Sequence, residues 1–92
     1  MYEFEWDSNK SKENEKKHKV SFEEAVSVFG DPLAVYFEDE DHSDLEQRNM
    51  IVGYSLHGKL LVVVFTERGN KIRIISSRQL TKKERKDYEN KR

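Results

Sequence analysis

Cations and one histidine, in two separate stretches, are the residues of this chain best suited to chemistry. Between Lys71 and Arg92, nine Lys or Arg residues stand against three Asp or Glu residues, a local charge of +6 in a 92-residue chain of formal net charge −1. The other stretch is the pair Lys17-His18. Clustered cations predict a polyanionic partner, and imidazole is the side chain that most readily exchanges a proton near neutral pH.

Arg73 and Arg78 lie five positions apart in a predicted strand. Because side chains alternate between the two faces of a strand, strict alternation places these arginines on opposite faces. At least one of them is then structural, solvated or paired with the acidic loop, unless the strand bulges or ends between them. Arg78 is the stronger candidate, because it precedes a helix opened by Thr81, whose first backbone amides can bind a phosphate.

Local patterns predict the elements that must position these residues. Alternating apolar and polar residues predict a strand over residues 2–6, and a highly charged segment predicts a helix over residues 9–19. Ser21 and Glu24 form a capping box at the start of a second helix, which ends at Gly30. Four further strands are predicted over residues 33–37, 48–56, 59–66 and 71–79, followed by a helix from Thr81 to about residue 90.

The resulting order, β-α-α-β-β-β-β-α, predicts one α+β domain over residues 1–92 with a largely antiparallel sheet. The two N-terminal helices are expected to cover one face of this sheet, and the C-terminal helix to pack elsewhere. Residues 60–65 are apolar at every position, which places their strand in the middle of the sheet. Gly58 is predicted to adopt a positive φ in the turn before that strand.

Composition excludes several classes of protein and site. With no Cys, the chain has no disulfide framework, no thiolate zinc site and no Cys nucleophile. The acidic N-terminus does not fit a signal peptide, and no apolar run approaches a membrane span, so a soluble cytoplasmic protein is expected. Residues 38–44 are interpreted as a solvated acidic loop rather than as a metal site of Asp39, Asp41 and His42.

Many of these residues, with their spacing, resemble the BrnT toxin family over nearly the whole chain. The matching positions are Phe4-Glu5-Trp6-Asp7, Asn14, Lys17-His18, Val20-Ser21-Phe22-Glu23-Glu24-Ala25, Phe29, Asp31-Pro32, Arg48, Gly53, Val62-Val63, Thr66-Glu67-Arg68, Arg73-Ile74-Ile75-Ser76, Arg78, Thr81, Glu84-Arg85 and Tyr88. There are two departures: Lys19 stands where the family often has Gly, and Ser77 where it often has Ala. Neither departure removes a charged group.

The resemblance implies a small bacterial type II toxin with a RelE-like fold. Such a toxin acts as a ribonuclease without a metal or other cofactor, inhibits translation and growth, and is neutralised by a BrnA-type antitoxin. The resemblance further implies a 2:2 complex of toxin and antitoxin. In that complex the antitoxin contacts operator DNA, so the toxin meets the operator only indirectly, and no membrane is involved.

Metal-free RNA cleavage needs a base for the 2′-hydroxyl, an acid for the 5′-oxygen and cations for the charge that builds on the phosphate. His18 and Glu67 are the candidates for the base and the acid. Lys17, Arg73 and Arg78 are the candidate catalytic cations, because a cation beside the phosphate stabilises that charge. The predicted RNA-binding residues are Arg68, Arg85 and Tyr88, the last as a stacking surface or proton donor.

Each assignment has a structural alternative. Lys17-His18 can simply close a helix end, where cations complement the helix dipole, and Glu67-Arg68 can be ordinary turn residues. Trp6 is interpreted as a core residue, because it shares a strand face with other aromatic residues. For the whole chain the alternative is a binding module of the same fold that holds nucleic acid or an acidic protein without cleaving anything.

Overall fold

The computed structural model describes residues 2–39 and 47–91, and within them the chain is an α+β domain. Most of the acidic segment interpreted as a solvated loop lies outside the described residues. The elements are β1 (Glu3–Glu5), α1 (Ser8–His18), α2 (Phe22–Ser27), β2 (Val35–Asp39), β3 (Arg48–Tyr54), β4 (Leu60–Arg68), β5 (Lys71–Gln79) and α3 (Lys82–Lys91). A single 3-10 turn, Val28–Gly30, follows α2 in this described part of the chain.

The described strands form one five-stranded sheet in the order β1-β5-β4-β3-β2. Only β1 and β5 are parallel among these neighbours, and the other three pairs are antiparallel. The prediction of a largely antiparallel sheet is therefore confirmed. The apolar strand β4 is central, as its composition predicts, because both of its faces are covered.

The two faces of the sheet carry separate clusters of buried side chains. On the face covered by α1 and α2, here called the α1/α2 face, the core comprises Val20, Phe22, Ala25, Val28, Ile51, Leu61, Val63, Phe65, Ile72 and Ile74. Trp6 packs edge-to-face on Phe22, with ring centroids 6.3 Å apart, as expected of a core residue. On the opposite face, here called the α3 face, Tyr88 packs with Val52, Leu60 and Val62. The C-terminal helix thus closes the sheet from the other side.

A β-bulge in β5 changes which side chains share a face. Ser76 pairs with Val64 and Ile74 with Phe65, so Ile75 is the extra residue between them. Past this bulge the alternation is reset. Arg73 lies opposite Thr66, and Arg78 opposite Val62. Because Thr66 and Val62 are four positions apart on regular strand β4, both arginines point to the α3 face, against the expectation from strict alternation.

Asn14 joins α1 to the outer edge of β5. Strand β1 pairs with β5 only as far as Arg73, so the later residues of β5 have no neighbouring strand on that side within the described chain. Asn14 Nδ2 donates to Ser77 O at 2.8 Å and to Val20 O at 2.9 Å, while Ser77 N donates to Asn14 Oδ1 at 3.1 Å. The side-chain amide therefore replaces the peptide group of a missing strand.

The helix caps agree with the sequence in large part. Ser21 Oγ accepts from Glu24 N at 3.1 Å, as the capping box predicts. The Glu24 carboxylate, however, accepts from Ser55 Oγ at 2.7 Å and lies 3.9 Å from Lys59 Nζ. Glu24 therefore ties α2 to the β3–β4 connection, where Gly58 has the predicted positive φ of 76°.

Strand β2 begins at Val35, two residues later than the predicted start at Leu33. Asp31 Oδ1 accepts from Leu33 N at 2.9 Å, and Asp31 O accepts from Ala34 N at 3.1 Å. These bonds turn the chain at residues 33–34, where the sequence pattern predicts a strand. The turn forms because an Asp side chain can compete for backbone amides.

Lys19 ends α1 in the left-handed region, with φ 62° and ψ 29°, at a position where glycine is the favoured residue. A side chain there costs roughly 1–2 kcal/mol. Glycine would avoid this cost, but it loses more conformational entropy on folding, which offsets part of the gain. We expect Lys19→Gly to stabilise the fold by about 0.5–1 kcal/mol, raising Tm by about 2–8 °C. Circular dichroism melting measures the change. Lys12→Gly, within α1, should lower Tm instead, and a Lys19→Gly protein that melts at or below the wild-type temperature would contradict the assignment.

Candidate functional site

The α3 face of β5 presents three half-buried polar side chains along one line, Arg73, Ser76 and Arg78, here called the arginine row. The positions opposite Arg73 and Arg78 are four residues apart on β4, which places the two arginine backbones roughly 13 Å from each other. Arg48 joins this surface from β3, because Arg48 and Arg73 both lie opposite Thr66. The sheet thus brings three arginines to one face, and cations so arranged can bind an extended polyanion.

Arg78 is fixed in place by α3. Its Nη1 lies 2.8 Å from Glu84 Oε1 and its Nη2 lies 3.0 Å from Glu84 Oε2, a two-point pairing of guanidinium and carboxylate. Nη1 also donates to Gln79 O at 3.2 Å. Among the described residues no bond engages Nε. The guanidinium edge formed by Nε and the second Nη2 hydrogen therefore has the two parallel donors that fit two phosphate oxygens.

Glu84 is itself held by the start of α3. The Thr81 amide donates to Glu84 Oε1 at 2.9 Å and Thr81 Oγ1 accepts from Glu84 N at 3.2 Å, a complete capping box as the sequence predicts. Hydrogen bonds from Arg78 and from the Thr81 backbone lower the pKa of Glu84 to about 2, and the bond to Glu84 raises the pKa of Arg78. Both partners therefore remain charged across the physiological range.

The depressed pKa of Glu84 predicts a pH-dependent contribution to stability. Because the folded-state value lies below the ordinary one, the contribution is complete above about pH 4.5 and is lost as the pH falls toward 2. Both side chains are 42% exposed, so screening limits the contribution to about 1 kcal/mol. We expect Glu84→Gln to lose this amount at pH 7 and much less at pH 3, measured by urea unfolding. Glu89→Gln, exposed on α3, should match the wild type at both pH values; an equal Glu84→Gln deficit at both would contradict the assignment.

Arg73 is held less tightly than Arg78. Its Nη1 lies 3.6 Å from Glu5 Oε2 on the neighbouring strand β1, and both side chains are about one-third exposed. An exposed pair with one long contact contributes little to stability. Arg73 can therefore exchange Glu5 for a phosphate at low cost.

Lys17 and His18 lie at the same end of the sheet as Arg78. Asn14, one turn before His18, binds Ser77, which precedes Arg78. Beyond the helix end, Lys19 O accepts from Lys59 Nζ at 3.3 Å, at the start of β4. The pair ends the helix that Asn14 holds against the outer edge of β5, and none of the hydrogen bonds or ion pairs among residues 2–39 and 47–91 links it to the arginine row. Lys17 is exposed and His18 half-buried.

Glu67 and Arg68 lie at the other end of the sheet. They are the last two residues of β4, not turn residues, and stand opposite Ile72 and Lys71. Alternation places Glu67 on the α1/α2 face, about 17 Å along β4 from the position opposite Arg78. Glu67 therefore does not share a site with Arg78 in this conformation, whereas Arg68 extends the cationic α3 face.

The two predicted RNA-binding residues of α3 differ in exposure. Arg85 is exposed on the helix surface, where it can contact a polyanion. Tyr88 is 3% exposed, and its hydroxyl donates to Leu33 O at 3.3 Å. This corrects the expectation of an exposed stacking surface. The ring belongs to the core between α3 and the sheet, because burying its apolar surface away from water stabilises the fold.

Three contributors to this surface are not predicted as site residues from the sequence. Arg48 and Ser76 carry no local signal, because only strand register and the bulge place them beside Arg73 and Arg78. The sequence predicts Glu84 as a helix cap but not as the partner of Arg78. Its separation of six residues from Arg78, across a strand end and a helix start, was the available signal.

Comparison with known proteins places the chain in a family. The model of a family described as the ribonuclease toxin, BrnT, of a type II toxin-antitoxin system matches residues 6–84. The chain belongs to the BrnT family. This match confirms the resemblance seen in the sequence. The family is that of a ribonuclease toxin that acts with an antitoxin partner.

A solved structure agrees in fold with this BrnT-family chain. The 1.1 Å crystal structure of the Brucella abortus ribonuclease toxin, BrnT, superposes with a TM-score of 0.68 at 21% sequence identity, over 89% of this chain and 100% of that one. No match is found among curated proteins. Within the described residues, no helix is long and apolar enough to cross a bilayer, and no cluster of three or more His, Cys, Asp or Glu side chains is positioned to hold a metal ion.

Proposed function

We propose that this BrnT-family chain has a RelE-like fold and is a metal-independent endoribonuclease. It binds RNA along the α3 face, and its cleavage of that RNA inhibits translation and growth. The observation that carries the proposal is the arginine row: a bulge sets Arg73 and Arg78 on one face, and Glu84 fixes Arg78 with a two-donor edge unoccupied by any described residue. A fixed donor pair stabilises developing charge without reorganising during the reaction.

The reaction forms a bond between a ribose 2′-oxygen and the neighbouring phosphorus and breaks the bond from phosphorus to the 5′-oxygen. A base takes the 2′-hydroxyl proton and an acid returns a proton to the leaving oxygen, giving a 2′,3′-cyclic phosphate and a 5′-hydroxyl. Arg78 and Arg73 stabilise the negative charge on the phosphate oxygens. His18 exchanges the proton from the edge of β5, with Lys17 holding the flanking phosphate.

The antitoxin partner is proposed to be of the BrnA type. A chain whose arginines bind RNA is kept harmless when another protein covers them, and the exposed α3 face offers that surface. The proposed assembly is a 2:2 complex in which the antitoxin alone contacts operator DNA. The site of action is the cytoplasm, where messenger RNA and ribosomes are found.

Purified protein incubated with RNA in excess EDTA tests the activity. The wild type should yield fragments with 2′,3′-cyclic phosphate ends, and His18→Ala should slow cleavage about 10²–10⁴-fold, the usual contribution of a general acid or base. Lys12→Ala, on an exposed part of α1, is the matched control and should cleave normally. RNA binding without cleavage would instead support a binding module of the same fold, and cleavage that stops in EDTA would refute metal independence.

A further inference from the structure

A cavity of about 230 Å³ lies between α3 and the sheet, directly beside Arg78. Its walls are apolar and come from β2, β3, β4 and α3, with Tyr88 as one of the surfaces. Its lining residues are Phe37, Met50, Val52, Val62, Leu80 and Tyr88, with Arg78, Glu84 and Asp87 as the charged members. It opens on the face that carries the arginine row.

The volume fits a small aromatic ligand. A dry apolar cavity of about 150 Å³ holds one benzene molecule, whereas sites for drug-sized ligands occupy roughly 300–1,000 Å³. A volume of about 230 Å³ lies between these sizes and fits a single bicyclic ring system. An unstacked purine base is such a ring system, and single-stranded RNA presents bases in this form to proteins.

The charges select for hydrogen-bond donors on that ligand. Glu84 is neutralised by Arg78, but Asp87 is exposed and has no hydrogen bond or ion pair to any described residue. A phosphate in the cavity would meet the Asp87 carboxylate and be repelled. Guanine has two adjacent donors on its Watson–Crick edge, N1–H and the N2 amine, which match the two carboxylate oxygens. Adenine and cytosine offer one amine beside an acceptor, and uracil offers one N–H between two acceptors.

We propose that this cavity binds a guanine base of the RNA, with Asp87 accepting from N1–H and the N2 amine. The inference rests on the proposed ribonuclease function and names its substrate: a guanine in the cavity brings its own phosphate to the free edge of Arg78. Cleavage therefore occurs next to guanosine. Asp87 is a specificity-determining residue, and Arg78 joins the base site to the phosphate site.

Inosine provides a matched substrate, because it differs from guanosine only by lacking the N2 amine. Two unstructured oligoribonucleotides, identical except for one guanosine or one inosine, are cleaved in parallel by wild type, Asp87→Asn and Glu89→Gln. Since a hydrogen bond to a charged group is worth about 1.5–3 kcal/mol, we expect the wild type to prefer guanosine roughly 10- to 100-fold. Asp87→Asn should reduce that ratio to near one, and the exposed Glu89→Gln should retain it.

The outcomes separate the base site from the ribonuclease proposal. Cleavage by the wild type with equal rates on both substrates would overturn the guanine site and leave the ribonuclease standing. If the wild type cleaves neither substrate, the ribonuclease proposal fails. In that case, fluorescence anisotropy measures the binding of two oligonucleotides that carry 2′-deoxyguanosine or 2′-deoxyinosine at the central position, and this comparison tests the base site. A guanine preference in binding that Asp87→Asn removes supports the site, and equal binding overturns it.

Discussion

Replacing Arg78 with Ala should lower kcat for RNA cleavage about 10²–10³-fold, the usual cost of removing one fixed donor from a developing oxyanion. Growth arrest on expression without antitoxin should be relieved to the same extent. The physical reason is the geometry at the end of β5, where Glu84 holds the guanidinium at 2.8 and 3.0 Å and leaves its Nε edge for the phosphate. Single-turnover cleavage, with the enzyme in saturating excess over the RNA, measures the chemical step directly.

Three further variants separate a phosphate contact from a merely structural role of Arg78. Arg78→Lys keeps the charge but loses the paired donors, so most of the defect should remain. Glu84→Gln breaks the ion pair yet leaves the guanidinium, and should cost far less activity than Arg78→Ala. Lys86→Ala, an exposed cation on the same helix, should be silent. Equal activity losses in Arg78→Ala and Glu84→Gln would show that Arg78 serves only to dock α3.

The features predicted correctly from the sequence are those that depend on residues a few positions apart. The Thr81–Glu84 capping box is complete in the structure, because its bonds join residues three positions apart. The central place of β4 follows from a continuous apolar run, since an edge or one-sided strand would alternate. The positive φ of Gly58 likewise depends on a few neighbouring residues.

The layout of the site depended on long-range register and was only partly predictable. The sequence could show that Arg73 and Arg78 conflict under strict alternation, but not that Ile75 forms the bulge that resolves the conflict. Glu67 carried the right chemistry, yet strand pairing places it on the other face from Arg78. The sequence shows an aromatic ring at Tyr88, but it does not show which neighbouring residues bury that ring. Tertiary packing decides such questions, and residue type alone does not.

Asn14 is the clearest case of a structural residue hidden in a charged helix, and its replacement should have the largest effect on stability. Asn14→Ala removes three hydrogen bonds of 2.8–3.1 Å and leaves backbone groups of Ser77 and Val20 buried without partners. At about 1–3 kcal/mol for each unsatisfied group, we expect a loss of about 3–5 kcal/mol. For a domain of this size Tm should fall by about 15–30 °C, as measured by calorimetry or circular dichroism.

The same substitution connects stability to the proposed chemistry, because Asn14 holds α1 against the edge of β5 and α1 carries Lys17-His18. Below its melting temperature, Asn14→Ala should therefore cleave RNA more slowly while binding it nearly as well, since the arginine row lies on the opposite face. Glu13→Ala, exposed one position earlier, should change stability by less than about 0.5 kcal/mol and leave cleavage intact. A folded Asn14→Ala protein with wild-type Tm would contradict this role, because the amide would then not be needed to hold α1 at the β5 edge.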